Sequence, residues 1–187
     1  MAKVVVFNSV SIDGYFTGPD GDLSWAHRAN DPEWKEFISG NAKGNARLLF
    51  GRVTYEMMVN YWPTPMAAQN DPVVAEGMNK LPKIVFSRTL NPADHPHVRV
   101  TTDDPATVVA ELTRQPGGDI WIFGGGNLFR QLADASIVDS VEVALVPVLL
   151  GSGIPLLPKG ARMRLSLRSH RIYPGTGTVL LQYDVVR

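Results

Sequence analysis

The 187-residue chain is 44% hydrophobic and 19% charged, which suits one globular domain, 1–187, with a substantial core. Its 18 Lys and Arg cancel its 18 Asp and Glu, so neither nucleic acid nor an anionic membrane surface is an expected partner. The absence of cysteine excludes disulfides, thiolate metal sites and a cysteine nucleophile, and fits a reducing, cytoplasmic setting.

No apolar run approaches the roughly 18 residues of a membrane span, and the apolar run at residues 4–7 is too short for a signal peptide. Val4-Val5-Val6-Phe7 reads instead as a central strand continuing to about Val10. Residues 11–22 hold three glycines and a proline, hence a loop, and aromatics in a loop often wall a pocket. The plainer reading is a surface turn whose aromatics plug the edge of the core.

Asp31-Pro32 supplies an N-cap and an N1 proline for a helix whose apolar stripe is Trp34, Phe37 and Ile38, ended by residues 40–44. A strand at 46–50 runs into Gly51-Arg52-Val53-Thr54, a strand–glycine–helix junction. A loop rich in Pro, Gln and Asn then leads to a helix over 73–80. Residues 83–88 form a strand ending in Ser87 and Arg88, and 98–101 form another. Asp104-Pro105 caps a helix carrying Val108, Val109 and Leu112.

The second junction is Ile120-Trp121-Ile122-Phe123-Gly124-Gly125-Gly126-Asn127-Leu128. Its glycines bring backbone N–H groups to a helix N-terminus with no Cβ atoms in the way, which suits a phosphate. It is not the full dinucleotide fingerprint, because the third glycine would fall at Phe129. The acidic residue expected about 20 residues later is at best Asp139 or Glu142. The alternative is a glycine turn that serves strand–helix packing alone. Residues 140–150 are strand-like, and Gly151-Ser152-Gly153 punctuate a loop. Residues 164–172 and 179–186 form a hairpin around Pro174-Gly175-Thr176-Gly177.

Strands alternating with helices, then three closing strands, predict a mainly parallel α/β sheet flanked by helices, with an antiparallel C-terminal edge hairpin. Ligands of such sheets bind outside the carboxyl ends of the strands. The Asp13 loop, Gly51-Arg52, Ser87-Arg88 and the Gly124 to Gly126 turn all fall there, so one pocket can use all four. Gly51 lets backbone approach a phosphate, and Thr54 and Ser87 offer hydroxyls. Arg52 and Arg88 can pair with phosphate oxygens, although each is alternatively a solvated surface residue. Two arginines without a convincing ribose-binding acid favour NADP over NAD.

Leu49-Phe50-Gly51-Arg52-Val53-Thr54, Ile84-Val85-Phe86-Ser87-Arg88 and Ile122-Phe123-Gly124-Gly125-Gly126 resemble, in that order, the three cofactor-binding segments of dihydrofolate reductase. Ser11-Ile12-Asp13-Gly14 and the segment Val146-Pro147-Val148-Leu149-Leu150-Gly151-Ser152-Gly153 are closer to one branch of that superfamily. They resemble the RibD C-terminal domain, the reductase part of the bacterial riboflavin-biosynthesis deaminase/reductase, and its stand-alone relatives. The resemblance covers nearly the whole chain. It implies a dihydrofolate-reductase-like sheet, NADPH as hydride donor and a homodimer. It also implies reduction of a ribosylamino-pyrimidine or another small heterocycle, as by 5-amino-6-(5-phosphoribosylamino)uracil reductase. Carried over, Gly51, Arg52, Thr54, Ser87, Arg88, Phe123, Gly124, Gly125, Gly126 and Leu128 hold the cofactor. Asp13, Gly14 and Phe16 lie near nicotinamide and substrate, and Asp13 is the catalytic candidate, to orient substrate or relay a proton. A turn-forming Asp-Gly is the alternative for Asp13.

There are departures from the family pattern. The zinc-dependent deaminase part is absent. A folate reductase needs a carboxylate facing the pterin, and none of Asp31, Glu33 or Glu36 aligns with it, Asp31 being better explained as a cap. Lys159, Arg162 and Arg164 are marked as phosphate ligands only by their charge. A folate reductase, a reductase of some other imine or carbonyl, and a non-catalytic nucleotide-binding module of this fold therefore stay open. No serine has a His/Asp setting for hydrolysis, and Asp94, His95 and His97 make a poor metal site.

Overall fold

The computed structural model describes residues 1–26, 31–124, 126–157 and 162–187. Its strands are β1 (Val4–Ser11), β2 (Tyr15–Thr17), β3 (Arg47–Gly51), β4 (Lys83–Phe86), β5 (Arg99–Thr101), β6 (Ile120–Phe123), β7 (Ser140–Val146), β8 (Ile154–Pro155), β9 (Leu165–Tyr173) and β10 (Thr178–Val185). The helices are α1 (Pro32–Ala42), α2 (Arg52–Tyr61), α3 (Pro65–Asn70), α4 (Pro72–Lys80), α5 (Pro105–Arg114) and α6 (Gly126–Asp134).

Eight strands make one sheet in the order β5-β4-β3-β6-β1-β7-β10-β9. β5 through β7 are mutually parallel, and β10 and β9 add antiparallel. The mainly parallel, helix-flanked sheet with an antiparallel edge hairpin is thus the dihydrofolate-reductase-like arrangement expected from the sequence. After β1 the chain leaves a gap beside it, builds β3, β4 and β5 outward, and returns to fill the gap with β6. The carboxyl ends of β1, β6 and β3 therefore lie side by side where the strand order reverses, the place such sheets offer to ligands.

Strand alternation sorts the core into two faces. Val4, Val6, Leu49, Ile120 and Ile122 face α5 and α6, meeting Val108, Val109, Leu112, Leu128, Phe129 and Leu132. Leu48, Phe50 and Val85 face the other way, toward Tyr55 of α2 and Val74 and Met78 of α4. On that second face Trp34 of α1 packs with Ala144, Tyr173 and Leu180, which joins the hairpin to the parallel part.

The expected caps are present. Asp31 accepts a hydrogen bond from the Trp34 amide at 3.0 Å and Asp104 accepts one from Thr107 at 2.9 Å, each before an N1 proline. Two expectations need correction. The Pro/Gln/Asn-rich stretch is not all loop: Thr64 caps α3 with its hydroxyl, and Pro65 opens it. The 11–22 segment likewise contains β2, paired with β8 in a small second sheet.

Candidate active site

Two cavities open at the carboxyl-end rim, and they share a wall made by Phe16 and Met57. The first is a cleft of about 430 Å³ between the two glycine junctions. Gly51, Arg52 and Thr54 line it from the start of α2, and Gly126 and Leu128 line it from the start of α6. A Cβ added to Gly51 would meet nothing within 4 Å, and Gly51 has an ordinary φ of −77°. Glycine there is required neither by packing nor by backbone conformation, and what it preserves is open space at a helix N-terminus. A Cβ on Gly126 would also meet open space, although its φ of +70° itself favours glycine. Gly125 lies outside the described residues.

Gly124 is different. Its φ is +87°, and a Cβ would sit 2.5 Å from Oγ1 of Thr54. Its peptide is gripped from below by Asn8 of β1: the Gly124 amide donates to Asn8 Oδ1 at 3.0 Å, and Asn8 Nδ2 donates to the Gly124 carbonyl at 3.4 Å. Asn8 is buried. Sequence reasoning passed over this residue, yet an amide inside an apolar strand is a signal, because a buried polar group needs a partner.

The two arginines differ in their commitments. Arg52 is bonded to Glu56 one helical turn on, with Nη1 to Oε2 at 2.8 Å, and both side chains are more than 40% exposed. Arg88 is exposed and, among the described residues, forms no ion pair. Ser87 accepts from the amides of Leu90 (2.9 Å) and Thr89 (3.1 Å), so its oxygen shapes the turn that carries Arg88. Neither Ser87 nor Arg88 lines the cleft wall itself; their neighbour Phe86 does.

The second cavity is an apolar chamber of about 720 Å³ on the α1–α2–α4 face of the sheet. Phe123 belongs here rather than to the cleft, with its ring stacked on Phe50 at 5.5 Å. The single pocket expected from four loops is therefore two adjoining ones, because alternation along β6 sends Phe123 and Trp121 to one face while the glycine turn continues past the strand end.

Asp13 lines neither cavity. Its carboxylate accepts from Ser11 Oγ (2.6 Å), from the Leu150 amide (3.1 Å) and from the Gly151 amide (2.7 Å). The Ser11 hydroxyl, and after it the Gly151 amide, hold its pKa below the ordinary carboxylate value. Gly14 closes the turn by donating to Ser11 O, and its own carbonyl accepts from Leu156. Ser11, Asp13 and Gly14 thus pin the loop after β7 over the rim of the sheet.

Other candidates are committed elsewhere. Asp139 accepts from the Val4 amide and pairs with Arg187, and Glu142 pairs with Arg168, so neither is a ribose-binding acid. Asp31 is a buried cap that also accepts from Thr176, and Glu33 pairs with Arg171. Arg162 and Arg164 are exposed and line neither cavity, while Lys159 lies outside the described residues. His95 Nδ1 meets the Tyr55 hydroxyl at 3.0 Å, and no metal-ligating cluster of three occurs among the described residues.

Residues 2–181 match the family described as the RibD C-terminal domain. The chain belongs to the RibD C-terminal domain family. Among curated proteins, it is 26% identical to the uncharacterized protein YyaP of Bacillus subtilis, over 97% of this chain and 94% of that protein. It is 27% identical to YwjB of the same organism over 82% of each. Solved structures share the fold. A putative riboflavin biosynthesis protein from Shewanella sp. PV-4 superposes with a TM-score of 0.75 at 20% identity, with full coverage of both chains. A pyrimidine reductase-like protein from Corynebacterium diphtheriae gives 0.65 at 17%, over all of this chain and 92% of its own. The Thermotoga maritima deaminase/5-amino-6-(5-phosphoribosylamino)uracil reductase gives 0.65 at 14%, and 57% of its length is matched. Membership and structural likeness together give the chain a reductase-like fold. Among the described residues, no helix is long and apolar enough to cross a membrane.

Proposed function

We propose that this RibD C-terminal domain is an NADPH-dependent reductase of a small heterocyclic C=N or C=O compound, with the cofactor in the cleft and the substrate in the adjoining chamber. The carrying observation is the convergence of two glycine-opened helix starts, at Gly51 and Gly126, on a cleft that shares Phe16 and Met57 with a ligand-sized apolar chamber. The residues fit the dinucleotide: the cleft keeps space where Cβ atoms would stand, and helix N-termini favour phosphate. Bound NADPH would supply the hydride.

The chain's own groups have separate tasks in this reading. Gly51, Gly126 and Thr54 offer backbone and hydroxyl to the phosphates. Arg88, exposed just past the cleft residue Phe86 and without an ion pair among the described residues, is assigned to the extra phosphate that separates NADPH from NADH, while Arg52 is the arginine in the cleft lining itself. Phe16 and Met57 form the boundary across which the two ligands meet. Asp13 is a positioning residue: its bonds to Ser11, Leu150 and Gly151 use the carboxylate, and its lowered pKa keeps it ionised at neutral pH, a poor state for donating a proton.

Gly51→Val tests the cleft directly. The backbone there suits any residue, so the variant should fold with wild-type melting behaviour and lose NADPH affinity at least tenfold in a fluorescence titration. Unchanged affinity in a folded variant would remove the cofactor from this cleft. A cytoplasmic location and a homodimer belong to the same proposal. The edge strand β9 exposes Leu165, Leu167 and Ile172, which supports self-association there. Light scattering giving the monomer mass would end the dimer reading.

A further inference from the structure

The chamber carries a statement about what it takes. Its floor is a run of touching rings: Phe7 lies 5.7 Å from Trp121 and 6.5 Å from Phe123. Its walls include Met57, Met58, Met66 and Met78, four of the six methionines in the chain. Methionine thioethers adapt to irregular shapes and contact ring edges favourably, so aromatic floor and thioether wall together suit a flat ring. The volume of about 720 Å³ lies within the usual range for small-molecule sites, roughly 300–1,000 Å³.

Net charge is what the described lining of the chamber lacks. Among the described residues its lining has one cation, Lys35, and one carboxylate, Asp71, which cancel. The helix ends on its wall are of both signs, because Trp34 and Lys35 in the first turn of α1 and Met66 in the first turn of α3 stand at positive ends. Asp71 stands at the N-cap of α4, where its carboxylate makes no cap hydrogen bond but adds a negative charge near that helix end. Asn41 and Ala42 line the chamber at the C-terminal end of α1, where the helix presents its negative end. A dianionic phosphate moved from water into such a place would find one ammonium, Lys35, offset by the carboxylate of Asp71, and otherwise only neutral donors such as the unpartnered Nδ2 of Asn41.

From this geometry, and resting on the reading of the chamber as the substrate site, we infer that its ligand is a flat, uncharged, unphosphorylated aromatic heterocycle, and that phosphoribosylated pyrimidines are not accommodated. The protein would then share the family's cofactor half while acting on a different class of compound from the phosphorylated one named for the Thermotoga relative.

The test is equilibrium dialysis with quinoxaline, a neutral bicyclic probe, in the absence of cofactor. 5-Amino-6-(5-phosphoribosylamino)uracil serves as competitor, and an NADPH thermal-shift titration of the same samples runs alongside. Quinoxaline should bind saturably, and a tenfold excess of the phosphorylated compound should not displace it. Ile38→Trp fills the chamber from α1 without touching the cleft lining. It should weaken quinoxaline at least tenfold while keeping the NADPH response.

Displacement by the phosphorylated compound, absence of quinoxaline binding, or undiminished binding to folded Ile38→Trp would overturn the inference. Should Ile38→Trp not fold, the wild-type indole N–H signals decide. Trp34, Trp62 and Trp121 line the chamber and Trp25 does not. Quinoxaline should shift the first three and spare the fourth, and the reverse pattern refutes the inference. Loss of the NADPH response with quinoxaline binding intact would instead count against the cofactor reading, so the two failures are separable.

Discussion

The two cavities at the rim of the sheet are neighbours built by opposite means. The cleft is made of absences: Gly51 and Gly126 leave side chains out so that backbone and helix ends face the space, and polar groups stand at its margin. The chamber is made of bulk: rings from β1 and β6 and thioethers from α2, α3 and α4 surround a volume whose described lining holds one cation and one carboxylate. A recognition site for a fixed, charged cofactor can rely on backbone, whose geometry the fold dictates. A site for a variable organic compound relies on side chains, which can be exchanged without disturbing the sheet. Gly124 joins the two. Thr54 of the cleft presses on one side of it and Asn8 of the chamber holds its peptide.

Striking that joint should have the largest effect. In Gly124→Val a branched side chain meets Thr54, at a φ of +87° that costs a non-glycine residue about 1–3 kcal/mol before any clash. The variant should melt well below wild type in a calorimetric scan and bind NADPH poorly. Wild-type melting would mean that the turn relaxes freely and that the comparison between the cavities does not depend on it. Arg88→Ala acts on the cleft alone. It should weaken NADPH by roughly 1.5–3 kcal/mol, the worth of a hydrogen bond to a charged group, and leave NADH nearly unchanged. Equal losses for both nucleotides in titration calorimetry would take Arg88 off the extra phosphate.

Asn8→Ala should cost about 1–3 kcal/mol of stability through the unpaired buried peptide of Gly124. It should lower affinity for both nucleotides alike, because the turn loosens rather than losing a phosphate contact. A loss confined to NADPH would contradict that assignment. Asp13 gives the smallest and most local effect. Its folded pKa lies below the ordinary 3.8, so the ionised tether is fully present above that value and is lost as pH falls through the lower folded value. Amide exchange at Leu150 and Gly151, corrected for intrinsic rates, should speed up below about pH 4 in wild type. In Asp13→Asn it should be fast already at neutral pH. Protection that ignores pH in wild type would dissolve the tether.

The cleft was far more legible in the sequence than the chamber, for a physical reason. Backbone requirements leave punctuation: Gly51 after an apolar strand, Asp31-Pro32 and Asp104-Pro105 before helices, and a glycine run after Phe123 all mark positions where one local conformation is needed. The chamber draws Phe7, Trp34, Met58, Val74 and Trp121 from elements far apart in the chain. An apolar residue that faces a cavity has the same periodicity as one that faces the core. α3 was hidden because its composition resembles a loop, although Thr64-Pro65 carried a cap. The grip of Asn8 on Gly124 spans 116 residues and left only one trace, an amide in an apolar strand.

The central claim is that the cleft holds NADPH in preference to NADH, and a side-by-side thermal-shift titration tests it most directly. At about one hundred times its dissociation constant a ligand adds roughly 2.7 kcal/mol to stability. For a domain of this length each kcal/mol raises the melting temperature by about 2–4 °C. NADPH should therefore raise it by several degrees, and NADH at equal concentration by much less. No shift with either nucleotide, or equal shifts with both, would contradict the account.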